Sequence, residues 1–164
     1  GLPVHLSWDN QYTLQTERER TLSAEDAPED LLEDFGTPEH RLVSTVNLNS
    51  GDWNWMIMAK YISGTHAADD ISDTARCNDF ITNEDLVGKP QTVPVCSAPS
   101  AIYFDTSLTY SADDFVVTAG INNVLDKEPE MIDLSAGSNR GNLVTSSGYD
   151  LYGRSFFLNA SYKF

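Results

Sequence analysis

Six segments of this chain place apolar side chains at every second position, the period of a strand with two unlike faces. The first is the most regular: Val4, Leu6, Trp8, Tyr12 and Leu14 share one parity, broken by Asn10, and His5, Ser7, Asp9, Gln11, Thr13 and Gln15 share the other. In "RLVSTVNLNS", Leu42, Val46 and Leu48 fall together with Ser44, and in "WNWMIMAKYIS" so do Trp53, Trp55, Ile57, Ala59 and Tyr61. Ile102, Phe104, Leu108 and Tyr110 mark the fourth segment, and Phe115, Val117, Ala119 and Ile121 the fifth. The sixth, within "YDLYGRSFFLNASYKF", carries Phe156, Leu158, Ala160, Tyr162 and Phe164 on one parity and Asn159, Ser161 and Lys163 on the other. Each segment is about ten residues long, enough for a tilted strand to cross a bilayer.

The connections sharpen this reading. Gly51-Asp52 and Ala112-Asp113-Asp114 read as tight hairpin turns. The other three links are long, about 17–40, 64–100 and 126–150. Short and long links alternate, so an up-and-down antiparallel sheet would gather the short turns at one end and the long loops at the other. Compact soluble domains rarely need such loops. Outer-membrane barrels have this asymmetry, with short periplasmic turns and long extracellular loops.

Composition does not oppose a membrane location. The mean hydropathy of -0.34 and net charge of -15 suit a soluble domain, but a barrel strand turns only alternate side chains to lipid and averages the same way. No apolar run is long enough for a transmembrane helix, and the first residues lack a signal-peptide layout. Of the carboxylates, Asp9 and Asp105 lie well inside strands, both on the polar parity. Trp53, Trp55, Tyr110 and Tyr162 cluster near the short-turn end and would form an interfacial aromatic girdle.

The predicted fold is all-β, an antiparallel up-and-down transmembrane sheet in which residues 1–164 form the C-terminal part of one barrel domain. Six strands are too few to close a barrel, and an open sheet in lipid would strand backbone groups at two edges. Further strands on a separate or upstream polypeptide are therefore expected.

Few motifs carry chemistry. No nucleophile elbow, zinc-protease helix or phosphate loop is present, so no catalytic residue and no enzyme activity is expected. Cys77 and Cys96 share one long loop, and an even count in an exported protein favours a disulfide. The acidic runs "AEDAPEDLLED" and "HAADDISD" offer oxygens to divalent cations but lack the spacing of a calcium loop, and read as solvated surface; no metal site or cofactor is assigned. Leu31, Leu32 and Phe35 suggest a short amphipathic helix in the first of them. A sequence pI near 4.2 argues against nucleic acid as a partner.

The final third resembles the C-terminal end of TonB-dependent receptors of Gram-negative outer membranes. In that family the penultimate strand runs into an Asn-Leu-Phe-Asp-Lys-like segment, here Asn122-Asn123-Val124-Leu125-Asp126-Lys127, with Val124-Leu125 in place of the usual Leu-Phe pair. The last strand follows a Tyr-x-x-x-Gly-Arg pattern, here Tyr149, Gly153 and Arg154, and ends in Phe, here Phe164. "PEHRLVSTVNLNSGDWNWMIMAKYI" also looks like the family's downstream hairpins. The resemblance implies a 22-stranded outer-membrane barrel around an N-terminal plug that this chain lacks. It implies TonB-powered import of a scarce ligand, whether siderophore, haem, cobalamin, metal or oligosaccharide. Lipid, the TonB complex and the barrel assembly machinery would be partners, with the long loops extracellular and the C-terminus periplasmic. The alternation through Phe156, Leu158, Ala160, Tyr162 and Phe164 resembles the β-signal that the assembly machinery reads. A passive porin segment and a soluble secreted β-sandwich binding module are the alternatives.

Overall fold

The computed structural model describes residues 3–67, 95–132 and 148–163. Among these residues the chain forms ten strands: β1 (Val4–Leu14), β2 (Glu19–Arg20), β3 (Glu29–Asp30), β4 (His40–Ser50), β5 (Trp53–Ile62), β6 (Thr65–His66), β7 (Ser97–Ala98), β8 (Ala101–Ala112), β9 (Phe115–Asn122) and β10 (Ser155–Tyr162). The six long strands make one sheet in the order β1-β4-β5-β8-β9-β10, and every neighbouring pair is antiparallel. Each predicted segment thus becomes a strand beside its predecessor, and the protein is all-β with an antiparallel meander.

The turns hold this arrangement in register. Gly51 takes a positive φ of 55°, which suits the first central position of a two-residue hairpin and lets Ser50 face Trp53. Asp113-Asp114 closes the second turn between Ala112 and Phe115. A slip of one residue in either hairpin would move a strand's whole apolar set to the opposite face.

The region around Leu31, Leu32 and Phe35 is not helical. Glu33 and Gly36 adopt positive φ (65° and 100°), and Asp30 Oδ1 accepts the Leu32 N–H at 2.9 Å. The Thr37 hydroxyl turns to the carbonyls of Leu31 and Asp34, so local side-chain bonds replace those a helix would make. The two-stranded β2-β3 ladder lies in the same loop, and β6 pairs with β7 in the next.

Apolar packing is concentrated at the long-loop end. Ile62, Ala98, Ala101, Tyr103, Ile132 and Tyr149 form the buried cluster, with Phe35 against it. The first two loops are stitched together by the Asp34–His66 parallel bridge, in which Phe35 N–H donates to His66 O and His66 N–H to Glu33 O, both at 2.8 Å. By contrast, β1 is exposed along its whole length. Three members of the buried cluster, Ile62, Ala101 and Tyr103, come from the long-loop ends of β5 and β8.

Candidate functional site

Register converts the six separate alternations into two continuous surfaces. Leu6, Leu48, Trp55, Leu108, Ala119 and Leu158 stand side by side across all six strands. The next row is Trp8, Val46, Ile57, Thr106, Ile121 and Phe156. On the opposite face His5, Asn49, Asn54, Thr109, Thr118 and Asn159 form a polar row. Large apolar side chains on the first face are open: Leu6 and Trp8 are each 66% exposed, Leu158 72% and Phe156 73%. A soluble monomer rarely presents so wide a contiguous apolar surface.

Polar exceptions on that face are paired within it. Trp8 Nε1 donates to Ser44 Oγ at 2.9 Å, and Trp55 Nε1 donates to Thr106 Oγ1 at 2.8 Å; the Thr106 hydroxyl donates on to Met56 O at 2.9 Å. Ser44 and Thr106 break the apolar alternation where an indole N–H needs an acceptor. Satisfying such groups internally matters most where water is absent.

Aromatic side chains border the apolar face at both ends. Trp53 and Tyr110 are register partners at the short-turn end, their rings 4.8 Å apart and tilted by 47°. Tyr162 faces Phe115 at that end and Trp55 lies one row further in. The long-loop end has Tyr61 and also Tyr12, whose ring stacks on His40 and whose hydroxyl lies 2.9 Å from His40 Nδ1. This second border becomes visible only when the strands are aligned. From Trp53 to Tyr61 the strand advances about 27 Å at about 3.4 Å per residue, or about 20 Å after a tilt of about 40°.

The polar face is hydrogen-bonded between strands. Asn54 Nδ2 donates to Asn49 Oδ1 at 2.8 Å, and the Thr109 and Thr118 hydroxyls are 2.9 Å apart. Lys60 Nζ lies 2.6 Å from Asp105 Oδ2. Phe157 also lies on this parity, with its ring over Gly120, where a Cβ would sit 2.3 Å from the ring edge.

The two halves of the terminal motif meet in space. Asn123, 1% exposed with φ 51°, is held on three sides: its N–H donates to Asp105 Oδ1 (2.9 Å), its Nδ2 to Lys127 O (2.8 Å), and its Oδ1 accepts from Lys127 N–H (2.9 Å). Asp126 (φ 54°) reaches the last strand, accepting the Arg154 N–H at 3.0 Å with the Arg154 guanidinium 3.8 Å away. Gly153 supplies the positive φ (75°) beside it, and Asn122 Nδ2 donates to Ser155 Oγ at 3.1 Å. These residues therefore lock the exit of β9 to the entrance of β10. Asp105 enters this knot from β8, a role that alternation alone did not reveal.

Tyr149 ties the knot to the loops. Its buried hydroxyl donates to Pro99 O at 2.9 Å, with Ser63 O at 3.1 Å, and burial raises its pKa above the ordinary value. Lys127 is raised as well, chiefly by its 2.5 Å hydrogen bond to Glu130 Oε1. Beneath residues 148–153 opens a cleft of about 360 Å³, bounded on the polar face by Lys60, Tyr103, Asn122 and Ser155.

Cys96 is 2% exposed and is not a free thiol. Cys77, Phe164 and residues 68–73 of the second acidic run lie outside the described residues. Among the described residues no group of three or more His, Cys, Asp or Glu side chains is placed to hold a metal ion. Compared with known protein families and with curated proteins, the chain matches none.

Proposed function

We propose that this chain supplies the closing strands and three extracellular loops of a TonB-dependent outer-membrane transporter. On this reading the apolar face meets lipid and the polar face lines the lumen. β1 and β10, the two open edges of the sheet, would pair with further strands so that a barrel closes, one of 22 strands as the family resemblance implies. The observation that carries the reading is the apolar surface that extends across six strands, with the Trp8 and Trp55 indole N–H groups satisfied inside it and aromatic rows at its borders. A β-sandwich would bury that surface against a second sheet, whereas lipid covers it without one.

The motif knot supports the same assignment, because it gives a physical role to residues that resemble the family's pattern. Energy coupling would reside in the plug and its TonB contact, outside this chain, and the disulfide between Cys77 and Cys96 would brace the second loop.

Extraction of the full-length polypeptide tests the membrane part. It should fractionate with outer membranes, require detergent, and shift in gel mobility on boiling; an aqueous monomer would remove both barrel readings. Deleting TonB tests the coupling, since uptake of the scarce nutrient on which growth depends should cease. Unchanged uptake would leave a passive porin.

A further inference from the structure

The apolar face is not level. Between Trp55 on β5 and Phe156 on β10, the small side chain of Ala119 leaves a hollow of about 440 Å³, walled also by Leu108 and Ile121. A second, of about 390 Å³, opens nearer the long-loop end among Ile57, Phe104, Val124 and Leu125. Trp55 and Thr106 border both. The Trp55 indole is fixed by its 2.8 Å hydrogen bond to Thr106 Oγ1, so the two hollows share one anchored ring.

The polar groups at that shared border are engaged within the sheet. Trp55 Nε1 donates to Thr106, and the Thr106 hydroxyl donates to Met56 O. Asp105 also borders the second hollow, but its carboxylate is turned to Lys60 and to the Asn123 N–H. What fills the hollows is therefore apolar.

A cation stands beside both. Arg154 precedes Phe156 of the first hollow by two residues, about 7 Å along a strand and on the same parity. Its guanidinium lies beside Asp126, the chain neighbour of Leu125 in the second hollow. That ion pair spans 3.8 Å, beyond hydrogen-bond reach, while Asp126 Oδ1 accepts the Arg154 backbone N–H. Among the described residues the guanidinium makes no hydrogen bond, and the Arg154 side chain is 40% exposed. A planar fork of donors in that state is matched by an oxyanion, and phosphate engages it bidentately.

We propose that this part of the apolar face holds one membrane lipid, its phosphate on the Arg154 guanidinium and its two acyl chains in the hollows on either side of Trp55. The inference rests on the reading that the apolar face meets lipid, and adds a fixed lipid site to it. Free phosphate would use Arg154 and leave both hollows unfilled. A phosphorylated lipid with two acyl chains uses all three features.

Photo-crosslinking of the full-length protein in detergent tests it, with phosphatidylglycerol carrying a diazirine on one acyl chain and adducts mapped by peptide mass spectrometry. Adducts should concentrate on Trp55, Phe104, Leu108 and Phe156 rather than spread over the apolar face. Diacylglycerol bearing the same diazirine lacks the phosphate and should label these residues about tenfold less, as should the phospholipid with Arg154→Gln. Arg154→Lys keeps the charge without the planar fork and should recover part of the labelling. Ala119→Phe fills the first hollow with apolar surface and should reduce its adducts by a similar factor, with heat-modifiable gel mobility showing that each variant still forms the barrel. Even labelling across the face, or labelling that ignores both Arg154→Gln and Ala119→Phe, overturns the lipid site and leaves the transporter reading in place. Recovery of the protein in the aqueous fraction, with no labelling of this face, would remove both.

Discussion

Single side chains in this sheet answer to hydrogen-bond demand as much as to hydropathy. Thr106 sits on the apolar parity because Trp55 Nε1 donates to it at 2.8 Å. Thr106→Val keeps the shape and deletes the acceptor, leaving an indole N–H unpaired on a face proposed to meet lipid. The expected loss is about 1–3 kcal/mol, read as a lower urea midpoint of the full-length protein refolded in detergent, while a Thr109→Val control on the polar face should cost less. Titration adds a second residue-scale expectation. Lys127 and Tyr149 both have pKa values raised above their ordinary 10.5 and 10.0, so the folded loops bind those protons more tightly than the unfolded chain does. Their stabilisation is present in full below pH 10 and is lost as pH rises through the raised values. Limited proteolysis of the loops should therefore accelerate as pH rises above about 10, and Tyr149→Phe should flatten that rise.

At the scale of elements, pairing of β9 with β10 depends on a glycine. A Cβ on Gly120 would meet the Phe157 ring at 2.3 Å and the Thr106 carbonyl oxygen at 2.8 Å. Gly120→Ala should destabilise by about 1–3 kcal/mol through overpacking. Phe157→Ala combined with it should recover only part of this in a double-mutant cycle, because the backbone oxygen cannot step aside. The alternating parities of these two strands were legible from sequence; that Phe157 on the polar parity covers Gly120 was not, since it needs the register between them. The same holds for the loops. The apolar Leu31, Leu32 and Phe35 suggested a helix, but turn chemistry at Asp30, Glu33 and Thr37 prevails, and Phe35 packs against the loop core instead.

For the molecule as a whole, the two faces predict opposite responses to charge. Leu158→Arg places a cation on the apolar face and should cost about 2–4 kcal/mol if that face lies deep in lipid. Asn159→Arg, one residue on and on the polar face, should be tolerated. Yield of the heat-modifiable full-length protein in outer membranes measures both; equal yields would remove the membrane assignment of the faces.

The sequence by itself determined the strands and their two faces, because side-chain direction alternates at every residue and apolar positions recur with that period. It also determined the order of short and long links, from which an up-and-down sheet follows. Tertiary structure alone decided which residues meet across those strands. The match of Trp8 with Ser44, the convergence of Asp105, Asn123, Asp126 and Arg154, and the Tyr103 hydroxyl under residues 148–153 join positions far apart in the chain. Such contacts depend on register and loop closure, and neither is encoded in the local period of a strand.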